Sequence, residues 1–170
     1  MSYTAEDILK EREKRVEIQN KLMDKFNKTL VCLKVNFPGV NKENELSTAI
    51  FNDVSADLEA KFSNKLLLKL FRITAEGLTE IFIIDEEPLR VKEGTLNIEE
   101  THPLGRFTDI DVYNPRTKES ISRRQLGYSP RKCYICENSA YECVRSAKHT
   151  YNEIVEAMKK TYSEYRGSIK

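Results

Sequence analysis

Leu66-Leu67-Leu68-Lys69-Leu70-Phe71-Arg72-Ile73-Thr74-Ala75-Glu76-Gly77-Leu78-Thr79-Glu80-Ile81-Phe82-Ile83-Ile84 is the stretch on which the fold turns. Leu66 to Ile73 and Thr79 to Ile84 are strand-like runs, and Ala75-Glu76-Gly77 between them is short and ends in glycine. A hairpin is the cheapest connection. Upstream, Thr29 to Phe37 reads as a further strand, ended by Pro38-Gly39, which removes a donor and permits a turn. Downstream, Phe107 to Tyr113 is strand-like, Asn114-Pro115-Arg116-Thr117 carries turn chemistry, and Ser120 to Leu126 is expected to return as an antiparallel strand. Strand runs that come in hairpin-spaced pairs, without regular alternation with helices, predict an α+β fold. Its sheet should be mainly antiparallel, built from the segments near Leu30, Leu68, Ile81, Ile110 and Ile121.

Helical signals fill the remainder. Thr4 and Asp7 form a capping-box pair, and no Gly or Pro interrupts the chain until Pro38, so a first helix is expected from Thr4 to Asn27. Leu9, Arg12, Val16, Gln19, Met23 and Phe26 follow a 3 and 4 spacing; an Arg and a Gln inside an apolar stripe mean either a cleft or a half-buried face. From Glu43 to Phe62 the residues Leu46, Ile50, Val54, Leu58 and Phe62 recur every four, a second amphipathic helix. Pro88 opens a third, to about Glu100, and Pro103 brings it to an end. Ala140, Cys143, Ala147, Tyr151, Ile154 and Met158 predict one long last helix from Cys136 to Tyr165, with Arg166 to Lys170 frayed. That makes three to four helices and one sheet.

With 170 residues the chain suits a single domain, 1–170, able to bury about two-thirds of the surface its unfolded form exposes. Its 28 Lys plus Arg stand against 27 Asp plus Glu. So balanced a charge counts against a nucleic-acid binder, and any anionic ligand must be met by a local cluster. No secretory-type leader and no run approaching a membrane span is visible, so a cytoplasmic protein with four reduced cysteines is expected.

The chemistry concentrates in Thr101-His102-Pro103-Leu104-Gly105-Arg106-Phe107-Thr108-Asp109-Ile110-Asp111-Val112. On a strand, period 2 sends Asp109 and Asp111 to one face and Ile110 and Val112 to the other. Two carboxylates facing a cleft suit Mg²⁺, which takes oxygen ligands and substrate phosphates, and Gly105 would let the backbone approach a phosphate. His102 is either a helix C-terminal histidine or a group that contacts the leaving phosphate or shuttles a proton. Cys133-x2-Cys136-x6-Cys143-x5-His149 invites a structural zinc reading. On a continuous helix, however, His149 falls roughly 120° away from Cys143, which favours buried thiols on the apolar stripe. Arg145 and His149, four apart, are then either substrate-facing groups or ordinary surface residues.

Several motifs together carry a family resemblance: the His102 to Val112 run, Ile121-Ser122-Arg123-Arg124, and Pro130-Arg131-Lys132-Cys133-x-x-Cys136 with Ala140, Cys143, Arg145 and His149. Leu9-x-x-Arg12-x-x-Arg15-x-x-x-Gln19 and Asn36-x-Pro38-Gly39 fit the same pattern. The chain resembles the citrate lyase holo-acyl-carrier-protein synthases, also called apo-citrate lyase phosphoribosyl-dephospho-CoA transferases. The resemblance implies a nucleotidyltransfer: 2'-(5''-triphosphoribosyl)-3'-dephospho-CoA gives its phosphoribosyl-dephospho-CoA part to a serine of the citrate lyase acyl carrier subunit, releasing diphosphate. It further implies Mg²⁺ on Asp109 and Asp111, with Glu119 a candidate third ligand. Arg12, Arg15, Gln19, Arg106, Arg123, Arg124, Arg131, Arg145 and His149 become candidate substrate contacts. Gly105-Arg106 lies only three to four residues before Asp109 and no Ser follows the Gly, a departure from the Gly-Ser turn of many metal-dependent nucleotidyltransferases. A non-catalytic carrier-protein adaptor and a small zinc-binding module are the competing classes.

Overall fold

A computed structural model describes residues 3–169. The hairpin reading holds: β2 (Leu66–Thr74) and β3 (Gly77–Ile84) pair antiparallel from Leu66↔Ile84 to Thr74↔Gly77. Gly77 has φ +85°, and a Cβ there would stand 2.7 Å from the Cβ of Lys42, so the turn needs glycine for both conformation and space. β1 (Thr29–Val35) lies on the other side of β3, and β4 (Thr108–Tyr113) pairs with β1, giving the order β2-β3-β1-β4 with every pair antiparallel.

The sheet has a helix layer on each face. On one side Val31, Leu33, Phe82, Ile84, Ile110 and Val112 pack against Ile50, Phe51, Val54 and Leu58 of α2 (Glu45–Phe62), Val91 and Ile98 of α3 (Pro88–Thr101), and Met158 of α5 (Tyr151–Ser168). On the other side Leu30, Cys32, Ile81 and Ile83 meet Ile18, Leu22, Met23 and Phe26 of α1 (Ala5–Phe26). β3 is buried along its whole length. Burying each such Leu, Ile or Phe contributes about 1.5–3 kcal/mol, so two dry faces hold this sheet together. None of the described helices is long and apolar enough to cross a membrane.

The α+β class and the antiparallel sheet are as expected, with three corrections. The segment at Ile121 is no strand: after a single bridge, Tyr113↔Ser120, the chain enters a 3₁₀ turn, Arg123–Leu126. The reason is a Ser122-x-x-Gln125 capping box, which binds the backbone locally and ends at Gly127 with φ +77°. Second, the last helix is two: α4 (Ala140–Arg145) and α5, separated by Ala147 in the left-handed region at φ 47°. Ser139 caps α4, and Thr150 with Glu153 boxes the start of α5, so each helix carries its own start signal. α5 runs on to Ser168, past the expected fraying point; Lys170 lies outside the described residues. Third, the buried line of α1 is Arg15, Gln19 and Met23, while Leu9 and Val16 are exposed, a rotation of about one residue from the expected stripe.

Candidate active site

β4 is an edge strand whose burial alternates residue by residue. Ile110 and Val112 enter the core, and Asp109 and Asp111 stay partly open on the opposite face. Their cross-strand partners are Lys34 and Cys32 of β1, so the carboxylates share the face covered by α1. Burial pushes the Cys32 thiol up to about 11, against the pull of Arg15 and Lys34.

A chain of charges fixes the start of this strand. Arg131 donates from Nη1 to Asp109 Oδ1 at 3.1 Å and to the Thr108 carbonyl at 3.0 Å, while its Nη2 donates to Glu99. Glu99, buried on α3, also accepts the Ile110 amide at 3.2 Å and has Arg123 Nη2 3.9 Å away. Lys92, one turn pair earlier on the same helix, donates to the Ile110 carbonyl at 3.1 Å. Burial raises the Glu99 carboxyl against the opposing pull of Arg131 and Lys92, and burial lowers the Lys92 ammonium. The network ties α3, β4 and the loop at Arg131 into one unit with Asp109 at its open end.

Around that end lie cations. Arg12 of α1, Lys34 of β1 and Lys42 line a pocket of about 120 Å³ with Asp109, Asn36 and Glu76. The Lys42 ammonium donates to the Phe37 carbonyl and is pulled below its ordinary range, first by burial and then by Lys34 and Arg12, with Asp109 opposing. Through Asn36 and Lys42 this pocket adjoins a larger one of about 360 Å³, apolar in its lining, with Phe37, Pro38, Tyr134, Ile135, Val144 and Ile154. Arg106, Arg131 and Lys132 border both that pocket and a third, of about 480 Å³, that reaches Arg123, Tyr128 and Glu100. The result is a run of three adjoining pockets, a groove that is cationic beside Asp109 and apolar next to it. Such a surface suits an elongated ligand with phosphates at one part and an apolar arm at another.

The expected site residues separate into groups. Arg12 shares a pocket with Asp109; Arg106, Arg123 and Arg131 line the adjoining ones, Arg131 also bonding Asp109; and Asp111 lines none of the three. Arg15 and Gln19 are on the buried side of α1: Arg15 holds Glu76 through two bonds, 2.8 and 3.2 Å, and reaches Gln19 Oε1 at 3.4 Å. Gly105 is buried, and a Cβ there would meet the Ile98 carbonyl oxygen at 2.4 Å and Glu99 Cα at 2.9 Å, so its lack of a side chain serves the packing of the 3₁₀ turn Gly105–Phe107 on α3. His102 is the C-cap of α3: Nδ1 accepts the Leu104 amide at 3.0 Å, Nε2 is 3.6 Å from Asp57, and the ring lies 5.1 Å from that of Tyr165. It lines a different pocket from Asp109. Arg124 and Arg145 are exposed, the latter against the Tyr141 hydroxyl, and Glu119 is exposed in the turn after β4.

His149 joins the cysteines. Cys133, Cys136, Cys143 and His149 each present a ligand atom, all within 4.8 Å of one another. Backbone donation from Asn138 holds the Cys136 thiol down at about 6, and burial pushes Cys143 up to about 12. The expectation of thiols buried on an apolar stripe with His149 turned away from Cys143 is thereby corrected: the break between α4 and α5 brings the imidazole round to the sulfurs.

Sequence reasoning missed Glu99, Lys92, Lys34 and Lys42. Glu99 and Lys92 are seven apart on α3, on the face of Thr95 and Leu96. Charged residues within a buried helical face were the available signal for these two, as the polar Gln19 was on α1.

The model of the family described as apo-citrate lyase phosphoribosyl-dephospho-CoA transferase matches residues 3–165. The chain is 34% identical over 152 residues to the protein of that name from Citrobacter koseri, covering 88% of this chain and 82% of that protein. Against the enzyme of the same name from Escherichia coli O157:H7 it is 32% identical over 155 residues, 89% and 84% of the two. It is also 30% identical over 154 residues to "Protein CitXG" of Haemophilus influenzae, covering 89% of this chain but spanning only a third of that longer protein, 33%. The chain belongs to the apo-citrate lyase phosphoribosyl-dephospho-CoA transferase family.

Proposed function

We propose that this chain transfers the phosphoribosyl-dephospho-CoA group from triphosphoribosyl-dephospho-CoA to a serine of the citrate lyase acyl carrier subunit, as a Mg²⁺-dependent nucleotidyltransferase. The observation that carries this reading is Asp109, half-open in a pocket with Arg12, Lys34 and Lys42 and bonded to Arg131, with Asp111 two residues on along the same strand face and Arg106 on the adjoining pocket. Family membership supports the acceptor and the donor class.

In this mechanism the serine oxygen attacks the α-phosphorus of the donor. The bond from that phosphorus to the bridging oxygen of the β-phosphate breaks, diphosphate departs with the electron pair, and the serine proton passes to the carboxylate pair. In-line transfer of this kind is catalysed mainly by positioning and charge stabilisation. Arg12, Lys34 and Lys42 hold phosphate oxygens on one side of Asp109, and Arg106 and Arg131 on the other, where the planar guanidinium fork suits them. The apolar stretch at Phe37, Tyr134 and Ile135 receives the non-phosphate part of the donor.

Two half-exposed carboxylates on one strand face, bordered by groups that bind phosphate, fit a hard cation with oxygen ligands. Asp109 and Asp111 would hold it, and when bound it supplies charge stabilisation to the triphosphate worth several kcal/mol. Arg131 answers the Asp109 charge from the other side. His102 takes no chemical part in this reading, because its Nδ1 accepts the Leu104 amide, its Nε2 faces Asp57 at 3.6 Å, and it lines a pocket that Asp109 does not.

The test is intact mass of the apo carrier after incubation with the protein, donor and Mg²⁺. A gain equal to phosphoribosyl-dephospho-CoA, dependent on Mg²⁺, is expected. An unmodified carrier with a chain that still binds it would favour an adaptor instead.

A further inference from the structure

We infer that Cys133, Cys136, Cys143 and His149 bind one structural zinc ion, which holds the Arg131–Lys132 loop onto β4. The argument is independent of the reaction proposed above.

Geometry comes first. With Zn–S near 2.3 Å and Zn–N near 2.0–2.1 Å, the edges of a tetrahedral site are about 3.5–3.8 Å. Cys136 Sγ and Cys143 Sγ are 3.5 Å apart, and His149 Nε2 is 3.4 Å from both Cys133 Sγ and Cys136 Sγ. Three of the six edges thus have nearly the length of a zinc tetrahedron's, and all four donor atoms lie within 4.8 Å of one another. A set of three thiolates and one imidazole, with no fifth ligand group among the described residues, is a closed site, the arrangement of structural zinc.

The backbone around it is arranged to the same end. Cys133 donates its amide to the Asn138 carbonyl at 2.8 Å, and Lys132 bridges Ser139, closing a tight loop around Cys136. The amide of Ile135 reaches Cys133 Sγ at 3.4 Å, and that of Asn138 donates to the Cys136 sulfur. Hydrogen bonds of this sort from the surrounding backbone orient metal ligands. After α4, Ala147 adopts φ 47°, and Lys148 returns its amide to the Cys143 carbonyl at 3.0 Å. A non-glycine residue in that region is uncommon, and here it turns the chain so that His149 faces the sulfurs.

An energetic gap supports the same conclusion. Between Tyr128 and Thr150 the only buried side chain is that of Cys143. A segment of that size has almost no core with which to fix itself, and small units of this kind are commonly held by a metal. Yet the segment carries Arg131, two residues before the first ligand, whose bonds to Asp109 and Glu99 define the mouth of the groove. A disulfide between Cys136 and Cys143 would leave Cys133 and His149 converging on nothing.

The test starts with protein purified without chelator from zinc-supplemented cells, assayed for metals per chain. About one zinc is expected, and the Asp109→Asn/Asp111→Asn double variant should retain it. Replacement by Co²⁺ should give intense thiolate-to-metal charge transfer and tetrahedral ligand-field bands, both altered in His149→Ala. If the variants fail to fold, the wild type still decides the matter. Chelation should turn Cys133, Cys136 and Cys143 from protected to reactive toward a thiol reagent while buried Cys32 stays silent. Substoichiometric zinc with octahedral Co²⁺ spectra, thiol reactivity indifferent to chelator, or iron in place of zinc would overturn the inference.

Discussion

Replacing Glu76 by Gln should cost the fold about 3 kcal/mol while leaving its shape intact. Glu76 sits in the β2–β3 turn and accepts Arg15 Nε at 2.8 Å and Nη2 at 3.2 Å, so the pair is bidentate. Both side chains are almost fully enclosed, 6% and 4% exposed. Removing one member of a buried pair leaves the other charge uncompensated, at about 3–5 kcal/mol, and the retained amide oxygen of Gln places this case at the lower end. Arg12 also approaches Glu76, at 3.8 Å, but it is 60% exposed, and such a pair is worth about 0–1 kcal/mol. Arg12 therefore does not rescue the variant. For a chain of this size each kcal/mol moves the melting temperature by about 2–4 °C, so a fall of roughly 6–12 °C is expected. Thermal unfolding followed by circular dichroism reads it. The apolar pair Arg15→Met/Glu76→Leu should return to within about 1 kcal/mol of the wild type, as buried ion pairs replaced by packed residues commonly do. A single Glu76→Gln variant that melts with the wild type would refute the claim that this pair seats α1 on the sheet.

Asp109→Asn and Asp111→Asn should each slow carrier modification by orders of magnitude. Their melting temperatures should stay near the wild type, because Asp109 and Arg131 are partly exposed and their pair is weak; a wild-type rate in either variant, measured by intact mass, defeats the assignment. Gly105→Ala places a methyl within 2.4 Å of the Ile98 carbonyl oxygen and should destabilise by about 1–3 kcal/mol in a urea titration; a neutral result would mean the turn lifts freely from α3. Cys32 gives a pH dependence. Its thiol ionises near 9.0 when unfolded and near 11 when folded, so between these values the folded state holds the proton that the unfolded chain releases, and stability falls as pH rises. The urea midpoint should drop more between pH 8 and 10 in the wild type than in Cys32→Ala, and parallel slopes would exclude Cys32 as the cause.

What was legible in the sequence was what short-range periodicity encodes. The alternation of Asp109, Ile110, Asp111 and Val112 fixed which side chains enter the core, and β4 has that parity. The hairpin at Ala75-Glu76-Gly77 followed from strand-like runs with a glycine between them. Errors arose where a partner lies far along the chain. The phase of α1 is set by Arg15 reaching Glu76, 61 residues away, and a stripe that scores an arginine as polar cannot find it. Glu99 and Arg131 are 32 apart and come from a helix and a loop with no shared period. The helix break at Ala147 was hidden because Cys143, Ala147, Ile154 and Met158 continue a helical spacing through it. Thr150-x-x-Glu153 was the one local signal of a new helix start.

Arg131 connects these separate features into a single requirement on the site. Its guanidinium spends one nitrogen on Asp109 and the Thr108 carbonyl and another on buried Glu99. Glu99 in turn receives the amide of Ile110, the residue between the two aspartates. Among the described residues the edge strand has β1 as its only strand neighbour, so its outer amides need partners. Glu99 satisfies one at the point where the carboxylates must be held. A carboxylate buried there without a cation would be costly; Lys92 and Arg123 lie nearby, and Arg131 makes the direct bond to it. That arginine, however, is delivered by the segment that leads into Cys133 and has little core of its own. The position of Asp109 is therefore set from two directions, by the apolar face of β4 beneath it and by the cysteine-rich loop beside it. The first can be read from the period of the strand, whereas the second becomes visible only when Cys133, Cys136, Cys143 and His149 are seen to converge.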